Sequence, residues 1–245
     1  MSNPNDYTVG WICAIAAEYI AAQEFLNKEH EGPEFVSPHN NNHYTLGKVR
    51  KHNIIIAVLP DNKYEKSSAA SVARDIMHSF PNIRFSLMVG IAGGAPRKHN
   101  IRLGYIMIGC AGSGKGGVFK YDFGKAIQGH SFQETGFLNQ PPTLLRTTVS
   151  RLKAHYERKG HQLSKTVNMI LEKNPRLRRK YKHPVSGTDN LFKSEVTYDL
   201  SYVTTCSYDA SNLISRPERT EDEDNPAIHY GLIASADRLM KDALA

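Results

Sequence analysis

Residues 106–117 read Ile-Met-Ile-Gly-Cys-Ala-Gly-Ser-Gly-Lys-Gly-Gly, "IMIGCAGSGKGG". An apolar run followed by G-x-x-x-x-G-K has the outline of a phosphate-binding loop. A working loop of that kind needs Ser or Thr after the lysine to hold Mg²⁺. It also needs a helix whose N-terminus faces the phosphates. Here Gly116 takes the Ser/Thr position, and Gly117 leads into "VFKYDFG". Two glycines followed by Val118, Phe119 and Tyr121 make a poor first helical turn and a good strand. No later strand ends in an aspartate that could serve the metal; Asp61, after "IIIAVLP", comes earlier. The stretch therefore reads as a glycine-rich connection between two strands. Gly112–Gly117 is expected to form no nucleotide cradle, and 117–121 to be extended.

Outward from this loop, strand and helix patterns alternate. "YTVGWICAI" (7–15) reads as a buried strand, and "AAEYIAAQEFLNKEH" (16–30) as a helix. Two strands follow at about 43–49 and 53–59, joined by a turn around Lys51–Asn53. "YEKSSAASVARDIMHSF" (64–80) is a helix with small residues on one face. "RFSLMVGIAGGAP" (84–96) is a strand running into a glycine turn. "IRLGYIMIG" (101–109) and "GGVFKYDFG" (116–124) are strands. "PPTLLRTTVSRLKAHYERKG" (141–160) is a helix with Pro at its start, where a missing N–H costs least. Residues 160–226 differ: a basic run at 172–184 and a stretch at 216–226 that is mixed and then acidic suggest an irregular charged insertion of helix ends and surface loops. "AIHYGLIAS" (227–235) returns to a buried strand, and "ADRLMKDALA" (236–245) begins a helix. This order implies an α/β sandwich around a mixed sheet.

The composition narrows the function classes. The chain has 245 residues and a formal charge of +7, enough for one large domain or two small ones and compatible with an anionic partner. Cys13, Cys110 and Cys206 are far apart, and the 11 histidines form no H-E-x-x-H, so neither a disulfide scaffold nor a metal site is expected. Apolar runs are far shorter than the roughly 20 residues of a membrane span. The start "MSNPNDYT" lacks a secretory signal pattern, so a cytoplasmic or nuclear protein is expected, the cytoplasm first. The basic run lacks interleaved aromatics, which argues against nucleic acid.

Three stretches carry a further signal: "VGWICAIAAEYIAAQEFL" (9–26), "LMVGIAGGAPRKHNIRLGYIMIG" (87–109) and "AIHYGLIASADRLM" (227–240). Together they resemble the purine nucleoside phosphorylase and nucleosidase superfamily. "GKGGVFKYDFGK", "GFLNQPP" and "RTEDEDNPAIHYGLIASA" resemble more closely the fungal nucleoside-phosphorylase-like domains found ahead of NACHT or NB-ARC regions. The resemblance covers 7–245. It implies a three-layer α/β/α sandwich with a mixed, partly barrel-like central sheet, phosphorylase/hydrolase-like, as a single domain over 1–245. It implies cleavage of the N-glycosidic bond of a purine nucleoside without a cofactor, and leaves room for phosphate as co-substrate and for a homo-oligomer.

The resemblance also implies site residues. Phosphorylases of the hexameric type place an arginine for phosphate just after the first strand, whereas nucleosidases place a glutamate that activates water. Glu18 matches that position. A carboxylate repels phosphate and can take a proton from water, so it favours hydrolysis; the structural alternative is a glutamate in a first helical turn. The turn Gly90, Ile91, Ala92, Gly93 and Gly94 matches the segment that approaches the ribose, where glycines admit close backbone contact. The phosphorylase's phosphate ligands match Met88 and Ile91, neither of which binds phosphate. Leu239 and Met240 match the base-holding loop. Tyr105, Gly109, Cys110 and Gly112–Ser113 depart from the family's polar residues. The family's later Glu for the ribose hydroxyls and Asp for the base have no counterpart, so the domain reads as C-terminally incomplete and weakly active or inactive. The competing functions are a hydrolytic nucleosidase, a ligand-sensing or interaction module of a receptor-type protein, and a phosphorylase.

Overall fold

"HNIIIAV" shows how the N-terminal region is built: four β-branched residues in seven positions form a strand whose centre is buried on both faces. A computed structural model describes residues 1–95, 99–135, 138–183, 188–196, 210–220 and 223–237. The chain divides into two compact units, Met1–Gly93 and Gly94–Ala245.

In the first unit, β1 (Val9–Cys13) leads into α1 (Ala16–Glu24). β2 (Lys28–His30), β3 (Tyr44–Val49) and β4 (His52–Val58) follow, then α2 (Lys66–Ser79) and β5 (Phe85–Met88). The five strands form one mixed sheet in the order β2-β3-β4-β1-β5. β1 is parallel to both β4 and β5, while β2–β3 and β3–β4 are antiparallel. The period-2 alternation of β4 divides its residues between two cores. Ile55 and Ala57 join Ile12, Leu46 and, from α2, Val72 and Ile76 beside Phe80. Ile54 and Ile56 join Val9, Cys13 and, from α1, Ala22. One helix thus covers each face of the sheet. Tyr7 and Tyr44 meet the fully buried Phe80 edge to face, at centroid distances of 5.8 and 5.2 Å.

The expected helix over 16–30 is shorter than the sequence pattern suggests. It ends at Glu24, and Lys28–His30 form an edge strand against β3. Asn27 makes the exchange: its N–H donates to Lys48 O, and its side-chain oxygen accepts from Arg50 N. Tertiary pairing overrides the helical tendency of the polar stretch.

The second unit holds two short parallel pairs: β6 (Ile106–Gly109) with β10 (Ile228–Gly231), and β7 (Val118–Lys120) with β11 (Ile233–Ser235). The apolar run 227–235 is therefore two strands with different partners. β8 (Gly124–Lys125) and β9 (Gln133–Glu134) form a small antiparallel ribbon. Its α-helices among the described residues are α3 (Thr143–Lys159), α4 (Leu163–Lys173) and α5 (Pro175–Tyr181), the last two inside the charged region 160–226. Asp189 ties loops of this unit together. Its carboxylate pairs with Arg216 at 3.0 Å and Arg102 at 3.6 Å and accepts from Leu103 N. These partners hold it below the usual carboxylate range against the opposing effect of burial.

The loop of the opening motif is a tight hairpin. Gly112 and Lys115 exchange both backbone bonds, at 3.0 and 2.8 Å, and the central Ser113 and Gly114 both have positive φ, 48° and 75°. That is the signature of a two-residue type I′ turn. Lys115 pairs with Glu134 and lies 3.9 Å from the Phe119 ring centroid. β7 follows directly, where a phosphate loop would need a helix.

Candidate functional site

The site residues expected from sequence lie where β1 passes into α1 and where β5 leaves the sheet. Among the described residues β5 pairs with β1 alone and lies at the edge of this sheet. The chain beyond it continues as the exposed turn Gly90–Gly94, with Ile91 76% exposed.

Glu18, at the third position of α1, reaches both ends of this arrangement. One carboxylate oxygen accepts from Ala14 N at 2.6 Å and Ile15 N at 3.2 Å. The other accepts from Ile91 N at 2.7 Å. The first two bonds are the carboxylate half of a capping arrangement, which satisfies N–H groups that a helix start otherwise leaves without acceptors. The third joins two segments 73 residues apart in sequence. A carboxylate offers about four lone-pair directions, and three are filled here.

The structure thus brings together Glu18, Gly90 and Ile91. A Cβ on Gly90 would stand 2.8 Å from the Glu18 carboxylate oxygen, so glycine is what lets the turn close on it. Ala92 and Gly93 are exposed, and a Cβ on Gly93 would meet nothing within 4 Å. Gly94 opens the second unit and lies against Ile101 there. Leu239 and Met240 lie outside the described residues. Met88, which the resemblance matches to a phosphate ligand of phosphorylases, is an apolar side chain, 63% exposed.

Sequence reasoning missed that Ala14 and Ile15 donate to Glu18. The signal was present: a glutamate at the third position of a helix is the carboxylate half of a capping box. It also gave no role to Cys13, which is fully buried. Burial, helped by the negative charge of Glu18, pushes its thiol up to about 12. Cys13 is therefore an inert core residue and not a nucleophile.

Among the described residues, no group of three or more His, Cys, Asp or Glu stands together to hold a metal. No described helix is long and apolar enough to cross a membrane.

No known family model matches the chain, and no solved structure matches it. Over 241 residues, 98% of its length, the chain is 36% identical to a nucleotide-binding leucine-rich repeat (NLR)-like protein of Hyaloscypha variabilis. It spans 23% of the length of that relative. The expected kinship with a fungal receptor-type protein thus has a match along almost the whole chain, and the nucleoside phosphorylase likeness rests on the residues alone.

Proposed function

We propose that this chain is a ligand-sensing module of a receptor-type protein, built as three α/β/α layers on the nucleoside phosphorylase plan. It binds a purine nucleoside at the Gly90–Gly93 turn and does not cleave it. The receptor setting is supported by the likeness to the NLR-like protein. The layered plan is supported by the first unit, where α1 and α2 cover opposite faces of a mixed sheet.

The observation that carries the non-catalytic reading is the state of Glu18. A general base must present a lone pair to water and then hold a proton. This carboxylate already accepts three backbone N–H groups. It cannot swing towards a sugar without releasing the helix start or the turn. Its geometry is that of a structural staple, which also couples the turn to the sheet: a ligand pressing on Ile91 presses on Glu18 and, through it, on β1 and α1. The hydrolytic reading keeps one support, the match of Glu18 to the nucleosidase position.

Calorimetry with adenosine, inosine and guanosine, paired with assays of free base with and without phosphate, separates these readings. Saturable binding without base release is expected. Phosphate-independent release that Glu18→Gln abolishes in a folded protein would establish the nucleosidase reading, and release requiring phosphate would establish the phosphorylase one. No binding of any nucleoside would remove the ligand class.

A further inference from the structure

The sequence "SPHNNNHY" (37–44) has no part in the nucleoside site, yet it builds a second feature of the first unit. Asn40 Nδ2 donates to Tyr44 Oη at 2.6 Å and to Ser79 Oγ at 2.7 Å. Asn40 Oδ1 accepts from Asn42 N at 2.9 Å, and Asn42 Nδ2 donates to Asp75 Oδ2 at 3.0 Å. These bonds strap the loop to the C-terminal half of α2. Between strap and helix run two adjoining hollows of about 350 and 290 Å³ that share His39, Arg74 and Asp75.

Most of the lining side chains carry polar groups, and two of them, Arg74 and Lys63, are cationic. His39 and His78 face the first hollow and Lys63 the second, with Arg74 common to both. The one carboxylate in the walls, Asp75, is occupied: Arg74 Nε and Nη2 donate to it at 2.9 and 2.7 Å, and Asn42 holds its other oxygen. Asp75 thereby fixes the guanidinium plane, while the Arg74 side chain stays 60% exposed and keeps N–H groups for another acceptor. Ser67 and Ser71, one turn apart on α2, add hydroxyls to the second hollow. A fixed guanidinium, a lysine, imidazoles and hydroxyls around a hollow of this size suit a small anion with several acceptor oxygens.

We infer that the groove between the 37–42 loop and α2 binds the phosphate group of a small phosphorylated metabolite, with Arg74 and Lys63 as its anchoring cations. This site is independent of the nucleoside reading, because neither Glu18 nor the Gly90 turn lines it.

The test is calorimetry on the full chain with glucose 6-phosphate, inorganic phosphate and glucose at low salt. Glucose 6-phosphate should bind, inorganic phosphate should compete with it, and glucose should not bind. Arg74→Ala and Lys63→Glu should each weaken binding about tenfold to a hundredfold, the range of a charged hydrogen bond. Lys63 is exposed, so its variant keeps the test valid even where Arg74→Ala disturbs the strap. Absence of glucose 6-phosphate binding, equal binding of glucose, or binding that Lys63→Glu leaves unchanged would overturn the inference.

Discussion

Replacing Glu18 by glutamine tests whether this residue is a staple or a chemical group. The change keeps size and shape but turns one acceptor oxygen into an NH₂ donor. Three N–H groups now share the carboxylate, two on one oxygen and one on the other. With the amide oxygen towards Ala14 and Ile15, the NH₂ faces Ile91 N, donor against donor, across what was a 2.7 Å bond. With the amide reversed, two bonds are lost at the helix start. The first arrangement costs less. One hydrogen bond to a charged acceptor contributes about 1.5–3 kcal/mol, and the half-exposed setting lets water recover part of it, so the expected loss is about 1–2 kcal/mol. For a chain of this size that corresponds to a fall in Tm of about 2–8 °C. Glu18→Ala, which removes every acceptor, should cost more than Glu18→Gln. Thermal and urea unfolding without nucleoside measure both. An unchanged Tm and urea midpoint in Glu18→Gln would refute the staple, and Glu18 would have to be retained for chemistry instead.

Two further outcomes follow from the second unit. Neither the natural chain nor Lys115→Ala should bind Mg-ATP tightly, since Lys115 is paired with Glu134 beside a type I′ turn; tight binding abolished by the substitution, measured by fluorescence of a labelled nucleotide, would restore the phosphate-loop reading. Burial, reinforced by the charge of His99, holds His229 below its ordinary value of 6.5. The unfolded chain therefore takes up a proton at a pH where the folded unit does not, and stability should fall as pH drops from 6.5 to the lowered folded value. Urea unfolding across pH 5–8 should show this slope and its reduction in His229→Gln; a slope unaffected by that change would contradict the assignment.

The parts of the fold that sequence made legible are those in which local pattern and burial agree. The β-branched run at 54–58, the small-residue helix 66–79 and the glycine-rich exit from β5 all belong to this class. The end of α1 was not legible, because Lys28–His30 form a strand only by pairing with Lys48–Leu46 across the sheet, and nothing local marks that partner. The run 227–235 looked like one strand because continuous apolar sequence cannot show that Ile228–Gly231 and Ile233–Ser235 bond to different neighbours. The loop 112–117 was legible as a connection between strands because Gly116 and Gly117 lead into Val118–Lys120, although the extended part is shorter than the expected 117–121. In the site, the meeting of Glu18 with the Gly90 turn was legible only through the family resemblance. Of its three backbone partners, Ala14 and Ile15 were signalled by a glutamate at the third helix position, whereas Ile91 was not, since that bond depends on how closely the turn approaches the helix start. The strap of Asn40 and Asn42 was invisible for the same reason: its partners Ser79 and Asp75 are more than 30 residues away.

The most direct test of a binding, non-cleaving site is a two-dimensional amide NMR titration of isotope-labelled chain with adenosine, with the ligand's own signals followed in the same tube. The amides of Gly90, Ile91 and Gly93 should shift saturably, Ala14 and Ile15 should follow through Glu18, and adenosine should stay intact. Amides of the turn that do not move, or adenine accumulating in step with protein concentration, would contradict the account.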